Sequence, residues 1–535
     1  MKRYIVQNIK LPVEASKDVV FAHAKRRLLT FFSSGEIIRT EIFKRSVDAR
    51  KRGDIKFVWS VVANVDSKRG YGAETLAKEG IVLSKNSTLD VVYGTEKMNG
   101  RPVIVGFGPC GMFCALVLAQ NGYRPIVIER GQSVEKRTAD VDAFMKSGVL
   151  SPDSNIQFGA GGAGTFSDGK LVTRINDEKC AVVIELMHKF GAPDDVLYKA
   201  KPHVGTDYLK KVVSGIEKEI ISLGGEIHYN TKFIGFSEKN GRIVSIKTTA
   251  GEIGCGVLVS AIGHSARDTF GVLSSRGVSM IPKAFSVGVR IEHLQEDIDR
   301  MLYGGMAGHP MLPQGEYSLS HKCKNGRGVY TFCMCPGGTV VAAASEDGGV
   351  VTNGMSDHGR SGRNANSAIA VSVLPDDFGG DIKGAVAFQR NIERRAFSVG
   401  GGDYSAPAQT VGSFLGVTRT EKLGKVEPTY MNGKIVLSDF EGIFPGFVLE
   451  SLKEGLFDFD RKLPGFAAPD AVLTAPETRT SSPLRIPRGE NFLADGYDNF
   501  YPSGEGAGYA GGITSAGVDG INCALKIMAR YEREK

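Results

Sequence analysis

The pattern of apolar and polar positions changes at Pro102. After it, the chain runs PVIVGFGPCGMFCALVLAQNGYRPIVIERG, which contains a short apolar run, a glycine turn, an apolar run of helix length and a second short apolar run. Parallel strands that are buried on both faces show such continuous apolar runs. The Asn-Gly pair after the long run is typical of a helix end. The pattern predicts a β-α-β unit of about thirty residues.

Shorter elements are predicted before Pro102, in the order β-α-β-β-α-β. They are a strand at Tyr4–Leu11, a helix at Ala15–Leu29, strands at Ile37–Phe43 and Ile55–Val65, a helix at Gly72–Lys78 and a strand at Leu89–Tyr93. A basic connection, KRSVDARKRGD, separates the two central strands. We expect a small α+β domain of the ferredoxin-like type, followed by a linker at Gly94–Pro102.

Strand-like stretches dominate the region from Pro282 to Pro469. They include AFSVGVRIEHL, GVYTFCMCPGGTVVAAAS and NSAIAVSVLP, whose alternating and β-branched positions favour strands. Near the end of the sequence, the spacing of Ile521, Ala524, Leu525 and Met528 predicts one face of a helix.

Glycine occupies 68 of the 535 positions, and it forms the pattern G-x-G-x-x-G three times. The first occurrence, Gly106 to Gly111, stands between a predicted strand and a predicted helix. In that context the first glycine allows a tight turn, the second allows a pyrophosphate to approach the backbone, and the third allows close packing of helix on strand. Glu129 ends the second strand, where an acid that binds a ribose is expected. The unit predicts a dinucleotide site; the alternative is a plain glycine turn.

The other two occurrences lack this context. Gly159 to Gly164 has no strand before it and no helix directly after it, which predicts a loop that lies against a flat ligand. Gly506 to Gly511 precedes the last helix, without a further strand and acid. The start of that helix can still direct N–H groups at an electron-rich atom. We therefore expect three glycine loops around one nucleotide.

These segments resemble a known family. The order GFGPCG…ER, FGAGGAGTFSDGK, VSAIGHSA and GEGAGYAGGI resembles the flavin-binding segments of glutathione reductase-like flavoproteins. The segments SVDARK, CMCPGG, NGMS, NANSAI and ETRTSSPLRI are similar to those of a family of uncharacterised FAD-dependent dehydrogenases. The resemblance covers nearly the whole chain. It implies FAD as cofactor and leaves the substrate open.

The resemblance also implies positions of contact with FAD. The pyrophosphate would contact the first loop, the adenosine would contact Glu129 with Arg130 beside it, and the flavin ring and ribityl chain would contact the second and third loops. The implied cofactor-binding residues are Gly106, Gly108, Pro109, Gly111, Glu129, Arg130, Gly162, Ala163, Gly164, Thr165, Ser167, Asp168, Lys170, Phe233, Ala261, Gly263, His264, Gly504, Glu505, Gly511, Gly512 and Ile513.

The expected fold class is α/β. An FAD-binding, three-layer Rossmann-like domain would be interrupted by an inserted mixed or antiparallel β domain. The predicted limits are 1–98 for the N-terminal domain, 99–281 and 470–535 for the two parts of the FAD-binding domain, and 282–469 for the insertion. The insertion lacks a glycine-containing β-α-β unit, so either NAD(P)H binds only transiently or another reductant serves.

Candidates for catalysis are few. Arg479 and Ser481 stand just before the last glycine loop. Arg290, Arg479 and Arg485 could each hold an anionic substrate, because arginine binds carboxylates in bidentate fashion, although a solvated or structural role is favoured for each. His264 and His321 could donate protons, although a structural, hydrogen-bonded role is favoured for both. Cys333 and Cys335 alternate along a predicted strand and would point the same way, which allows a redox role, although a packing role is favoured. No metal site is predicted from the spacing of His, Cys, Asp and Glu.

Charge and cysteine content set the remaining expectations. The net charge is +7, and residues 1–100 alone contribute +8, from 19 Lys and Arg against 11 Asp and Glu. A solvated basic surface is the favoured interpretation, and an acidic partner such as RNA is the alternative. Eight cysteines without a C-x-x-C pair, with no apolar run of membrane-spanning length, predict a soluble, cytoplasmic protein.

We therefore expect an FAD-dependent oxidoreductase that transfers hydride to or from a small, anionic substrate. The alternative is a protein whose FAD is mainly structural and whose N-terminal domain binds RNA or an assembly partner.

Overall fold

The computed structural model describes residues 1–84, 88–418 and 422–533. Its first part contains four strands and two helices: β1 (Lys2–Pro12), α1 (Lys17–Leu28), β2 (Ile37–Asp48), β3 (Lys56–Val65), α2 (Ala73–Lys78) and β4 (Ile81–Leu83). The strands form one sheet in the order β2-β3-β1-β4, and all neighbouring pairs are antiparallel. A β-α-β-β-α-β order is that of the ferredoxin-like unit.

The prediction of a strand at Leu89–Tyr93 was wrong. The fourth strand is β4, where Ile81 is fully buried and pairs with Val6. Leu89 and Val91 instead pack against the core of the next part of the chain, and Gly94 donates a hydrogen bond to the carbonyl of Met528. The apolar residues at 89–93 thus belong to the connection between the two parts.

The next part alternates strands and helices. They are β5 (Pro102–Val105), α3 (Pro109–Gln120), β6 (Ile126–Ile128), α4 (Val134–Ser147), α5 (Lys179–Lys189), α6 (Thr206–Ser222), β7 (Glu226–His228), β8 (Phe233–Lys239), β9 (Arg242–Thr248), β10 (Gly251–Gly254), β11 (Val257–Ser260) and α7 (Arg267–Ser275).

The rest of the chain contains a longer run of strands and ends in a helix. The elements are β12 (Ile281–Pro282), β13 (Phe285–Leu294), α8 (Gln295–Tyr303), β14 (Ser320–Lys322), β15 (Gly328–Cys335), β16 (Thr339–Ala342), β17 (Thr352–Met355), β18 (Asn364–Val373), α9 (Ile382–Val399), β19 (Ala406–Thr410), α10 (Val411–Phe414), β20 (Ile435–Leu437), α11 (Gly446–Lys462), β21 (Val472–Glu477), β22 (Leu484–Arg485), β23 (Phe500–Pro502) and α12 (Ile513–Arg530).

A five-stranded parallel sheet forms the frame of the part that contains the first glycine turn, in the order β23-β11-β5-β6-β7. Helix α3 crosses from β5 to β6 and is buried along nearly its whole length, because the sheet covers one side and α12 the other. The two helices pack backbone to backbone: a Cβ at Gly520 of α12 would lie 2.1 Å from the carbonyl oxygen of Cys110. This contact sets the starts of α3 and α12 side by side.

A seven-stranded, mainly antiparallel sheet forms the second frame, in the order β14-β15-β18-β13-β21-β19-β20. Its central strand β13 is buried at every position. Helices α9 and α11 contribute to the core that covers it. Strand β21 pairs with β13, although it lies beyond the limit predicted at 469. The predicted domain limits otherwise stay predictions.

Three smaller sheets complete the described structure: β8-β9-β10, β12-β22 and β16-β17. Within the described ranges, none of the helices combines the length and apolar character that crossing a bilayer requires.

Candidate functional site

The first glycine turn has the geometry that its sequence predicts. Gly106 has φ 101°, and a Cβ there would lie 2.5 Å from the carbonyl oxygen of Ala261. Gly108 is the N-cap of α3, where an added Cβ would meet only the Cα of Gly162 at 3.7 Å. Gly111 packs on the strand, since its Cβ would lie 1.9 Å from the Gly106 carbonyl oxygen. The turn therefore leaves Gly108 without a tight contact, with the start of a helix beside it.

Glu129 follows β6 and is 5% exposed. Its carboxylate accepts three backbone N–H groups, from Phe107 (2.8 Å), Gly131 (2.9 Å) and Gly159 (2.9 Å). An ionised carboxylate has about four acceptor sites, so Glu129 keeps capacity for a hydroxyl group. The three bonds also tie the first two glycine loops to one side chain.

The second glycine loop lies against the first. The N–H of Gly161 donates to the carbonyl of Phe107 at 2.8 Å, and Gly162 has φ 61°. A Cβ at Gly164 would lie 3.1 Å from the Ile513 side chain, at the start of α12. The loop thus bridges the starts of α3 and α12, as a loop without its own strand and helix can.

The first two glycines of the third G-x-G-x-x-G pattern pack closely against backbone atoms. A Cβ at Gly506 would lie 2.6 Å from the Gly263 carbonyl oxygen, and one at Gly508 would lie 2.6 Å from that of Leu484. At Gly511, Gly512 and Gly263, by contrast, a Cβ would meet no atom within 4 Å. Only the end of this third pattern faces open space.

These loops line one continuous cavity of about 320 Å³. It contains most of the predicted cofactor-binding residues: Gly106, Gly108, Pro109, Glu129, Arg130, Gly162, Ala163, Gly164, Ser167, Asp168, Lys170, Phe233, Ala261, Gly263, His264, Glu505, Gly511, Gly512 and Ile513. Three predicted residues do not line it. Gly111 packs on Gly106, Thr165 donates to the Ala160 carbonyl at 3.1 Å, and Gly504 packs against Cys110.

Other lining residues were not among the predicted contacts. They include Gln157, Phe158, Thr231, Phe332, Asn353 and Thr480. Three of them stand in segments that carry the family resemblance: Phe158 in FGAGGAGTFSDGK, Asn353 in NGMS and Thr480 in ETRTSSPLRI. Phe158 supports the Arg130 guanidinium, whose centre lies 4.3 Å from the ring centroid. Arg130 also donates to Asp268 at 2.7 Å, so the cation is fixed beside Glu129.

A buried ion cluster stands behind the second loop. Asp168 accepts from Arg360 Nη2 at 2.6 Å and from Lys170 Nζ at 2.7 Å. Burial opposes ionisation, but Lys170 and Arg360 hold the pKa of Asp168 below its usual range. Lys170 also donates to the carbonyl of Met334, which joins this cluster to β15.

Arg479 lies in a second buried cluster, which carries an excess positive charge. Glu393 accepts from Arg479 Nε at 2.8 Å and from Arg267 Nη1 at 2.8 Å. Glu346 pairs with Arg267 at 3.3 Å and with Arg390 at 2.7 Å. Three arginines thus share two carboxylates. Arg479 lines the cavity, and its buried Nη1 has no hydrogen-bond partner within the described chain.

Two further titratable groups line the cavity. Burial, with Arg479 and Arg267, lowers the pKa of His264 to about 3, so its ring is neutral at pH 7 and does not supply a proton as an imidazolium. Burial raises the pKa of Glu505 to about 7, against the effect of Lys283. Glu505 is therefore a carboxyl group at the cavity wall that changes charge near neutral pH.

Several predicted candidates lie outside the cavity. Arg290 is fully buried and its Nε pairs with Glu477 at 3.0 Å. Arg485 stacks on Tyr509. His321 pairs with Glu454 at 2.9 Å. Ser481 and Cys335 are also absent from the lining, whereas Cys333 belongs to it. Spacing along the sequence does not show the acidic partners of Arg290 and His321.

The cavity fits FAD. Gly108 at the start of α3 has no side chain between the backbone and a pyrophosphate, Glu129 retains acceptor capacity for a ribose hydroxyl, and Gly511 and Gly512 leave room at the start of α12. Helix starts favour anionic groups. These are the features that a bound dinucleotide requires.

Comparisons with known proteins support FAD as the cofactor. Residues 284–480 match a family model described as "FAD-dependent protein, C-terminal domain-like", and residues 1–64 match a domain of unknown function. An uncharacterized protein of Clostridium beijerinckii is 46% identical over 544 residues, covering 99% of each chain.

Solved structures are more distant. L-amino acid deaminase from Proteus vulgaris is 12% identical, with 84% of this chain and 97% of that chain covered and a TM-score of 0.33. Glycine oxidase from Bacillus cereus is 11% identical, with 80% and 98% covered and a TM-score of 0.31. These scores are low, so no residue role is carried over from either structure.

The fold, the cavity and the family model together define a flavoprotein whose cofactor is FAD, which confirms the predicted cofactor. The chain belongs to the family of the Clostridium beijerinckii protein, with which it aligns from end to end.

Proposed function

We propose that this flavoprotein is an oxidoreductase that acts on a small anionic substrate bound in the cavity beside Arg479. The arrangement we propose is glutathione reductase-like, with the seven-stranded sheet as a cap over the flavin-binding part. When bound, FAD supplies two-electron chemistry at its isoalloxazine ring. The alternative, a structural flavin with an RNA-binding N-terminal domain, has no support in the comparisons.

The unpartnered Nη1 of Arg479 carries this proposal. A buried guanidinium nitrogen without an acceptor is unfavourable, and the cluster around it holds three arginines against two glutamates. An anionic oxygen at the cavity wall would accept a hydrogen bond from Nη1 and would balance the excess positive charge of the cluster. A carboxylate meets these requirements, because arginine binds it through charge-assisted hydrogen bonds.

The remaining lining residues have supporting roles in the proposal. Gly108 and the start of α3 would hold the pyrophosphate, and Glu129 would hold the adenosine ribose. Residues 162–170 would lie along the isoalloxazine ring. Glu505, with a pKa of about 7, can hold or release a proton at working pH. His264 stays neutral and serves as a hydrogen-bonding group.

Binding of small carboxylates to the FAD-loaded protein tests the proposal. Acetate, oxalate and benzoate are titrated while the visible flavin spectrum is recorded. We expect saturable spectral changes in the wild type and at least about tenfold weaker binding in Arg479→Met. Arg390→Met is the matched control, because Arg390 belongs to the same cluster but does not line the cavity. Equal affinity in the wild type and Arg479→Met would contradict the proposed anion site.

Reduction of the bound flavin tests the oxidoreductase part. The FAD-loaded protein is mixed anaerobically with NADH or NADPH in a stopped-flow instrument. We expect at least one of them to bleach the visible flavin band through transient binding. If neither NADH nor NADPH reduces the bound flavin, the result would contradict a nicotinamide-dependent reaction.

A further inference from the structure

The segment Cys333–Cys335 departs from regular strand geometry at the cavity wall. Strand β15 pairs with β18 as far as Phe332, and pairing resumes only at Cys335. Cys333 has φ 46°, a conformation that is uncommon outside glycine. Bulges and strained residues of this kind concentrate at functional sites, where they redirect side chains. Here Cys333 lines the cavity, whereas Cys335 is fully buried behind it.

Two cationic side chains hold the segment in place. Arg290 Nη1 donates to the carbonyl of Cys333 at 3.1 Å, and Lys170 donates to the carbonyl of Met334. The Cys335 Sγ lies 3.3 Å from the Cys333 carbonyl oxygen. Arg290 is paired with Glu477, and Lys170 with Asp168. The thiols are thus enclosed by fixed charges of both signs, with the cations in direct contact with their backbone.

This environment shifts the pKa values of the two thiols in opposite directions. A hydrogen bond from Cys335 lowers the pKa of Cys333 to about 6, against the effects of burial and Glu477, and Arg290 and Lys170 add to the lowering. The pKa of Cys335 is raised by its interaction with Cys333 and by burial. A thiolate that faces a cavity, with a neutral thiol behind it, is the arrangement of a reactive cysteine and a second, resolving cysteine.

We propose that Cys333 and Cys335 form a redox-active pair that exchanges two electrons with the bound FAD. The inference rests on the proposed function, because it requires the isoalloxazine ring to lie along residues 162–170, from which Lys170 reaches the Cys333 segment. In the oxidising direction, the Cys333 thiolate and the Cys335 thiol form an S–S bond. The two electrons, the Cys335 proton and one proton from solvent reduce FAD to FADH₂. In the other direction, FADH₂ reduces the disulfide.

An anaerobic reductive titration tests the pair. The FAD-loaded protein is first treated with diamide, a thiol oxidant, which is then removed, and dithionite is added stepwise. The wild type should take up about four electrons per FAD, two for each centre. Cys335→Ser should take up about two. Cys180→Ser is the control, because Cys180 is partly buried, as Cys333 is, and does not line the cavity; it should behave as the wild type.

Mass spectrometry gives a readout that does not depend on turnover. Peptides of the diamide-treated wild type should contain a Cys333–Cys335 disulfide. In untreated native protein, iodoacetamide should modify Cys333 at lower pH than the other cysteines, because the pKa of its thiol is lowered. Retention of flavin by Cys335→Ser, seen in the visible spectrum, shows that the variant folds.

The two proposals fail in different ways. Uptake of about two electrons per FAD by the oxidised wild type, without the disulfide peptide, would overturn the redox pair and leave the flavin chemistry intact. Protein whose FAD cannot be reduced at all would contradict both.

Discussion

Glu505 gives the cavity a charge that depends on pH near neutrality. Burial raises its pKa to about 7, whereas an unperturbed glutamic acid titrates at 4.5. Between these values the folded, flavin-free protein binds one more proton at Glu505 than the unfolded chain does. The free energy of unfolding must therefore fall as the pH rises through this window, because the unfolded state binds fewer protons. The contribution is fully present below the lower value and lost above the higher one.

The size of the effect follows from the two pKa values. Their difference, at about 1.4 kcal/mol for each pH unit, amounts to about 3 kcal/mol. The Glu505 side chain is not fully buried, so this figure is an upper value. Glu505→Gln removes the ionisation and should remove this part of the pH dependence while keeping the shape of the side chain.

Urea unfolding of the flavin-free protein at about pH 5 and about pH 8 measures the effect. From the lower to the higher pH, the wild type should lose up to about 2.5 kcal/mol relative to Glu505→Gln, because pH 5 already lies above the lower of the two pKa values. Glu490→Gln, at an exposed position, should follow the wild type. The same pH dependence in the wild type and in Glu505→Gln would refute the raised pKa.

Two further predictions concern the loops. Gly108→Ala should fold, because its Cβ has room, but it should bind FAD at least about tenfold more weakly. Gly111→Ala should yield little folded protein, because its Cβ would overlap the Gly106 carbonyl. Flavin fluorescence measures FAD binding and circular dichroism measures folding, and tight FAD binding by Gly108→Ala would contradict the assigned turn. Asp168→Asn leaves Lys170 and Arg360 without their buried partner and should lower the free energy of unfolding by about 3–5 kcal/mol, measured in urea; a change below about 1 kcal/mol would show that the cluster is not essential.

The nucleotide-binding unit could be predicted because its signals are local. The strand, the turn at Gly106, the helix and Glu129 follow one another within thirty residues, and each is required by the geometry of one crossover. The neighbouring elements also allowed the prediction that the three glycine patterns surround one nucleotide, since only the first pattern has both a strand and a helix beside it.

The rest of the site depends on contacts between distant segments. Whether a glycine lines a cavity or packs on backbone is decided by its neighbours: Gly508 meets Leu484, while Gly512 faces open space. Arg290 looked like a substrate ligand until the fold placed Glu477 against it. Sequence spacing also puts Cys333 and Cys335 on one strand face, and only the bulge in β15 turns one of them to the cavity.

Cofactor stoichiometry tests the central claim most directly. Protein saturated with FAD and freed of excess is denatured, and the released flavin is quantified against the polypeptide. Because the three glycine loops enclose one cavity, we expect one FAD for each chain. Protein that stays colourless after incubation with FAD, or that releases more than one FAD per chain, would contradict the account.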